Sequence, residues 1–133
     1  MKHISILVPE SDSSIVNIDG TYQILSKVNE HLAQSGKPPL FDIHLVGLQK
    51  DVIMKKGLFK IYPDVLIQEV SHTDLIIIPA VYGDFEKILA VNREMLSWIV
   101  TQYKKGASIA SLCIGTFFLA GTGLLNGHQH ARH

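Results

Sequence analysis

The segment from residue 107 to residue 121 reads Ala107-Ser-Ile-Ala-Ser-Leu-Cys113-Ile-Gly115-Thr-Phe-Phe-Leu-Ala-Gly121, a buried-strand pattern that passes directly into a helical pattern. Cys113 is the only cysteine of the chain, and it stands at the junction. A thiol at such a turn projects above the sheet, where the N–H groups and dipole of the following helix stabilise a thiolate. The segment predicts a nucleophile elbow, and the alternative is that Cys113 is an inert buried side chain.

Strand and helix patterns alternate along the rest of the chain. Short apolar runs predict buried strands at residues 4–8, 41–46, 74–79 and 107–112. Helical spacing predicts helices that end at Gly36, that span residues 92–104, and that span residues 115–123. The segment 49–70 is the least readable, and it predicts only short extended pieces such as Leu58–Ile61. Alternating strands and helices imply right-handed crossovers, and therefore an α/β fold, a three-layer α/β/α sandwich with a mostly parallel sheet.

Length and composition exclude several classes of protein. A chain of 133 residues with 47% hydrophobic content predicts one domain over residues 1–133. Twelve basic and twelve acidic residues are scattered, which gives no electrostatic footprint for nucleic acid. One cysteine excludes an internal disulfide. The chain shows neither a signal peptide nor an apolar stretch long enough to span a bilayer, so we expect a cytoplasmic protein with no membrane contact.

Four motifs resemble the ThiJ/PfpI-like branch of the class I glutamine-amidotransferase-like superfamily. These motifs are Thr73–Pro79, the helix end at Lys105-Gly106, the elbow Ser111–Gly115 and the tail Leu119–Gly127. The resemblance is greatest to the ligand-sensing domain at the N-terminus of AraC-type transcriptional regulators. It implies a flavodoxin-like sandwich. Members of the family continue beyond the position of His133, so the resemblance also implies a domain that is incomplete, or truncated, at its C-terminus.

The resemblance assigns catalytic positions to three residues. Cys113 takes the position of the nucleophile, the backbone N–H of Ile114 that of an oxyanion donor, and His133 that of the histidine paired with the cysteine. Ala131 and Arg132 stand where the family has threonines. The histidine-rich tail is therefore also explained as a cloning remnant or a disrupted reading frame.

Two departures from the family pattern concern the surroundings of the cysteine. Ala80 and Val81 replace a glycine pair after the central strand, and their side chains restrict the backbone angles that an oxyanion hole needs. Asn17 takes the position of a carboxylate that polarises the thiol in enzymes of the family. Together with Glu10 and Gly115, these three residues are predicted to border a ligand crevice.

Two functions from different classes remain open. The favoured one is a non-catalytic sensing or interaction domain of a transcriptional regulator, with a small-molecule or redox-responsive crevice around Cys113. The alternative is a small cysteine-dependent hydrolase, hydratase or glyoxalase-like enzyme that uses Cys113 as nucleophile. Neither function is expected to require a cofactor or a metal.

The incomplete sheet that the resemblance implies affects which partners we expect for the chain. A sheet that ends early exposes apolar surface and an unpaired edge, so we expect a homodimer. We also expect a small-molecule ligand. The chain carries no helix-turn-helix, so direct nucleic-acid binding by this chain alone is not expected.

Overall fold

The computed structural model describes residues 1–112 and 120–124 of the chain. Its strands are β1 Lys2–Val8, β2 Asp12–Ser13, β3 Phe41–Gly47, β4 Val52–Met54, β5 Phe59–Ile61, β6 Val65–Leu66, β7 Leu75–Ile78, β8 Val81–Tyr82 and β9 Ser108–Ser111. Its α-helices are α1 Ile15–Gln34, α2 Phe85–Val91 and α3 Arg93–Lys104. None of the helices within the described ranges has an apolar stretch long enough to cross a membrane.

A five-stranded sheet of order β6-β3-β1-β7-β9 forms the middle layer, and all of its strand pairs are parallel. β1 lies at its centre and pairs with β3 from Lys2 opposite Phe41 to Val8 opposite Gly47. The four strands predicted from apolar runs correspond to β1, β3, β7 and β9. The α/β fold class and the mostly parallel sheet are therefore confirmed.

Side chains of alternate strand residues pack on opposite faces of this sheet, as the strand period of two requires. On one face, Ile4 and Ile6 belong to a buried cluster that includes Ile18 of α1. On the other face, Leu7 belongs to a second cluster that includes Met95, Trp98 and Ile99 of α3, together with Ile76 and Ile78 of β7. Helices thus cover both faces, which gives the three layers of the sandwich.

Two parts of the structure differ from the sequence-based expectation. The segment 49–70 contains the antiparallel hairpin of β4 and β5 and the short strand β6. The helix predicted to begin near Asn92 is preceded by a separate helix, α2, which was not predicted. Asp84 begins α2, because its side chain accepts a hydrogen bond from the backbone N–H of Lys87 at 3.4 Å. Most of the predicted helix 115–123 lies outside the described residues.

Histidine and aspartate side chains form a network that runs from the amino end of β1 to the middle of β3. The carboxylate of Asp42 contacts His3 Nδ1 and His44 Nε2, both at 3.1 Å. Asp64 Oδ2 lies 2.7 Å from His44 Nδ1, and this hydrogen bond is the main cause that raises the pKa of His44. Asp64 also accepts the backbone N–H of Leu45 at 2.6 Å. The network therefore links the loop before β6 to the two central strands.

The raised pKa of His44 predicts a pH-dependent contribution to stability. The contribution is fully present below about pH 6.5, where the unfolded chain also carries the protonated imidazole, and it is lost as pH rises through the higher pKa of the folded state. We expect Asp64→Asn, which keeps an acceptor for Leu45, to lower the unfolding free energy more at acidic than at alkaline pH. Both side chains are partly exposed, so the difference should not exceed about 1 kcal/mol.

Urea denaturation at about pH 5.5 and about pH 8.5 measures this difference, since the two conditions bracket the usual histidine pKa. The matched control is Asp19→Asn, because Asp19 is an exposed carboxylate of α1 that accepts a hydrogen bond from the Gln23 side chain at 2.9 Å. An equal loss of stability at both pH values for Asp64→Asn would show that the ion pair contributes nothing.

Candidate site at the carboxyl edge of the sheet

The turns that follow β1 and β7 are held together at the carboxyl edge of the sheet, where α/β proteins bind their ligands. β2 and β8 form a two-stranded antiparallel pair, with Asp12 opposite Tyr82 and Ser13 opposite Val81. The backbone N–H of Ser14 donates to the carbonyl oxygen of Ala80 at 2.8 Å. The backbone beyond β1 and the backbone beyond β7 are therefore fixed relative to each other.

Asn17 connects the first turn of α1 to the same region. Ser14 caps α1, and its side chain accepts the backbone N–H of Asn17 at 3.1 Å. The side-chain oxygen of Asn17 in turn accepts the backbone N–H of Ala80 at 3.0 Å. The turn after β7 is thus held by a neutral amide, and the N–H of Ala80 already has an acceptor.

Ala80 and Val81 are both buried, with exposed fractions of 1% and 0%. The side chain of Val81 packs in the core together with Ile78 and Ile88. Neither residue lines the cavity described below, and Asn17 does not line it either. The structure therefore brings these three residues together as a packed, hydrogen-bonded turn, and their predicted role in binding a ligand stays a prediction.

The predicted catalytic residues Cys113, Ile114 and His133 lie outside the described residues, as does Gly115. The strand that precedes the cysteine is described. β9 runs parallel to β7, with Ser111 opposite Ile78, and it ends at the carboxyl edge of the sheet. The nucleophile elbow itself stays a prediction.

Asn92 holds the turn after β1 against the junction of α2 and α3. It is fully buried, and its side-chain oxygen accepts the backbone N–H of Glu10 at 2.8 Å. Its side-chain nitrogen donates to the carbonyl oxygens of Glu10 at 3.1 Å and of Ile88 at 2.8 Å. Both N–H groups of the amide are therefore used, and the backbone of Glu10 is fixed on both sides.

A cavity of about 810 Å³ opens beside this turn. The cavity residues come from the turns after β1 and β3, from β2, β4 and β8, from the turn before α2, and from α2 and α3. They are Glu10, Ser11, Asp12, Leu48, Gln49, Asp51, Val52, Ile53, Tyr82, Gly83, Asp84, Lys87, Ile88, Val91 and Glu94. Glu10 is the one predicted site residue, among those described, that lines it.

The carboxyl group of Glu10 is partly withdrawn from solvent. Its Oε2 atom is buried and has no hydrogen-bond partner within the described part of the chain. Desolvation raises the pKa of Glu10, and the nearby negative charge of Asp51 raises it further. Sequence analysis did not single out Asp51, although an acid that follows the strand beside β1 belongs at the same edge of a parallel sheet.

The parallel sheet, the covering helices and the site at the carboxyl edge define a flavodoxin-like α/β sandwich. Residues 30–133 match the model of the DJ-1/PfpI family, and the chain belongs to this family. The assignment confirms the resemblance inferred from the sequence motifs.

Individual relatives include a protein named as a protease and two proteins named as transcriptional regulators. The chain is 32% identical over 89 residues to the uncharacterized protease YoaZ of Bacillus subtilis, an alignment that covers 64% of this chain and 40% of YoaZ. Among solved structures, a Vibrio parahaemolyticus protein assigned as a transcriptional regulator has a TM-score of 0.77 and 22% identity, over 100% of this chain and 67% of that one. An AraC family transcriptional regulator from Pseudomonas putida has a TM-score of 0.66 and 14% identity, with the same coverage.

Removal of the Asn92 side chain is expected to destabilise the fold strongly. Asn92→Ala leaves the N–H and carbonyl of Glu10 and the carbonyl of Ile88 without this partner, so we expect a loss of about 3 kcal/mol. Thermal and urea denaturation measure the loss. Thr101→Ala, at an exposed position of α3, is the control and should change stability by less than about 0.5 kcal/mol. Similar stability of the two variants would contradict the assigned role of Asn92.

Replacement of Glu10 by the isosteric glutamine is expected to stabilise the protein at neutral pH. When folding raises the pKa of a carboxyl group, the folded state holds the proton more tightly than the unfolded chain does. The stability of the folded protein therefore falls as the pH rises and this proton is lost. Below about pH 4 both states are protonated, so Glu10→Gln should then differ little from the wild type. Urea denaturation at acidic and neutral pH tests this. A destabilised variant at neutral pH would contradict the direction.

Proposed function

We propose that this chain is a non-catalytic ligand-sensing or interaction domain of the DJ-1/PfpI family. Its ligand or oxidant would act at the carboxyl edge of the sheet, where the sequence also places Cys113. The family supports this proposal, and so do the regulator names of the two structural neighbours. The chain spans 40% of the length of its curated relative, so the activity of any larger protein is part of the proposal.

The observation that carries the proposal is the hydrogen bond between Asn17 and Ala80. A cysteine enzyme needs free N–H donors where negative charge develops on the substrate oxygen, and a group that exchanges protons with the thiol. At this edge the N–H of Ala80 is donated to the Asn17 oxygen. A side-chain amide neither gains nor loses a proton near neutral pH, so Asn17 cannot serve as the general base that a carboxylate provides. Both features favour binding over turnover.

The name of the Bacillus relative favours a second candidate function. A cysteine-dependent hydrolase or glyoxalase-like enzyme would use the Cys113 thiolate as nucleophile, His133 as general base and the Ile114 N–H as oxyanion donor. In this candidate the oxyanion site would form without the N–H of Ala80, because that N–H is hydrogen-bonded to Asn17. It also requires His133 to reach the sulfur.

We further propose that the chain acts in the cytoplasm as a homodimer and does not bind nucleic acid by itself. Exposed apolar side chains on the hairpin of β4 and β5 support self-association. Ile53 is 60% exposed, Leu58 80% and Phe59 51%. Association of two copies would remove such exposed apolar surface from water, which is favourable.

Turnover measurements separate the two candidates. We expect no turnover of glyoxals or simple amides by the purified protein above the uncatalysed rate. We also expect Cys113→Ala to retain the circular dichroism spectrum and melting temperature of the wild type. Turnover by the wild type that disappears in Cys113→Ala would overturn the sensing proposal and establish the enzyme. Cys113→Ser is the matched variant, because it keeps a polar group of similar size at the position.

A further inference from the structure

The imidazole of His44 lies between two carboxylates. Its Nε2 atom is 3.1 Å from Asp42 Oδ1, and its Nδ1 atom is 2.7 Å from Asp64 Oδ2. An ionised carboxylate only accepts hydrogen bonds, and a neutral imidazole carries one N–H group, whereas an imidazolium carries two. Both contacts are hydrogen bonds only when His44 is protonated. The geometry therefore requires the charged form of this side chain.

Both carboxylates are also engaged elsewhere. The Oδ2 atom of Asp42 lies 3.1 Å from His3 Nδ1, and the Oδ1 atom of Asp64 accepts the backbone N–H of Leu45 at 2.6 Å. When His44 loses its proton, one ring nitrogen becomes an acceptor that faces a carboxylate oxygen, and this contact changes from attractive to repulsive. Deprotonation of His44 therefore breaks one of its two contacts.

Other titratable groups border the same small cavity, which has a volume of about 170 Å³. Glu69 and His72 come from the segment between β6 and β7, and His3 comes from β1. Asp74 lies 3.2 Å from His72 Nε2 and accepts the backbone N–H of His3 at 2.8 Å. From α3, the ammonium of Lys105 donates to a carbonyl oxygen of the segment between β6 and β7 at 3.0 Å. These groups have partners of their own, and the two aspartates are the charged groups that contact His44 within the described residues.

The segment that Asp64 joins to β3 has few other attachments to that strand. β6 is only two residues long, and it pairs with the last two residues of β3. It is the outermost strand in the order β6-β3-β1-β7-β9 of the described sheet. The ring of Pro63 packs against Gly47, where an added Cβ would lie 2.5 Å from the ring. Local stability is lowest where few contacts hold a segment, so this edge depends on the contacts of Asp64.

We propose that His44 is a proton-operated clamp for the β6 edge of the sheet. When it is protonated, it holds the segment 62–66 against β3 through Asp64. When it is deprotonated, the segment opens more often, while the central strands stay paired. The clamp acts at local opening, so it is independent of the proposed sensing function and of the site at the carboxyl edge.

The surrounding charges set the direction of the switch. The hydrogen bond to Asp64 is the main cause that raises the pKa of His44, and Asp42 acts in the same direction. Because the pKa in the folded protein lies above that in the unfolded chain, the clamp is closed below about pH 6.5 and opens as the pH rises through the folded pKa. The side chains of Asp42 and Asp64 are 34% and 52% exposed, so solvent screens the contacts and the opening is local.

Amide hydrogen exchange followed by NMR tests the clamp. The Leu45 N–H reports on it directly, because it donates to Asp64, and the ring nitrogen shifts of His44 report its protonation. We expect the protection factor of the Leu45 amide to fall about threefold or more between about pH 6 and about pH 8.5, with the midpoint of the His44 titration. The β1 amides should keep their protection factors. Constant protection of Leu45 through the titration, or an equal loss in β1, would overturn the proposal.

Two variants separate the proton from the shape of the side chain, and a third is the control. His44→Gln keeps a group that donates and accepts but does not titrate, and Asp64→Asn keeps an acceptor for Leu45 without the charge. Both should abolish the pH dependence of Leu45 protection. His31→Gln removes an exposed histidine of α1 and should leave that dependence unchanged. A pH dependence that persists in either His44→Gln or Asp64→Asn would also overturn the proposal, and the wild-type titration tests it without any variant.

Discussion

The buried amide of Asn92 is the contact on which the carboxyl edge of this protein depends. It joins the backbone of Glu10 to the junction of α2 and α3. Its side chain forms hydrogen bonds with three backbone groups, namely the N–H and carbonyl oxygen of Glu10 and the carbonyl oxygen of Ile88. An apolar residue of similar size cannot replace it. The packed layer of α2 and α3 is therefore fixed to the sheet by a specific polar contact in addition to apolar packing, and the geometry of the cavity follows from it.

The carboxyl edge is divided into two parts with opposite character. Beside β7 and β9, the N–H of Ala80 donates a hydrogen bond to the side-chain oxygen of Asn17, and Val81 packs in the core next to them. Beside β1 and β3, Glu10 borders a cavity, and its buried Oε2 atom has no hydrogen-bond partner among the described residues. In a family defined by the fold, this contrast bears directly on function, because function depends on the individual site and not on the fold. The first part is a fixed, hydrogen-bonded turn, and the second is a cavity bordered mainly by carboxylates.

The sequence predicted those strands and helices whose local pattern of apolar residues matches their burial in the fold. β7 contains three consecutive isoleucines, which suit a strand covered on both faces, and β1 ends before Pro9. α2 was not predicted, because seven residues are too few for a clear helical period and its signal rests on the cap at Asp84. The hairpin of β4 and β5 was not predicted either, because the exposed Ile53 and Phe59 break the alternation expected of a half-buried strand. Glu10 was identified as a site residue, but Asp51 and Asn92 were not, because their roles arise from contacts between residues distant in sequence.

The antiparallel pair of β2 and β8 has a mechanical consequence. Asp12 and Tyr82 border the cavity and are paired with each other, while the next pair, Ser13 with Val81, leads directly to Ala80. One residue, Val81, thus separates Tyr82 at the wall of the cavity from Ala80 in the turn after β7. A molecule that displaces Tyr82 would move this short ribbon with it, and the displacement would reach Ala80 without movement of the main sheet.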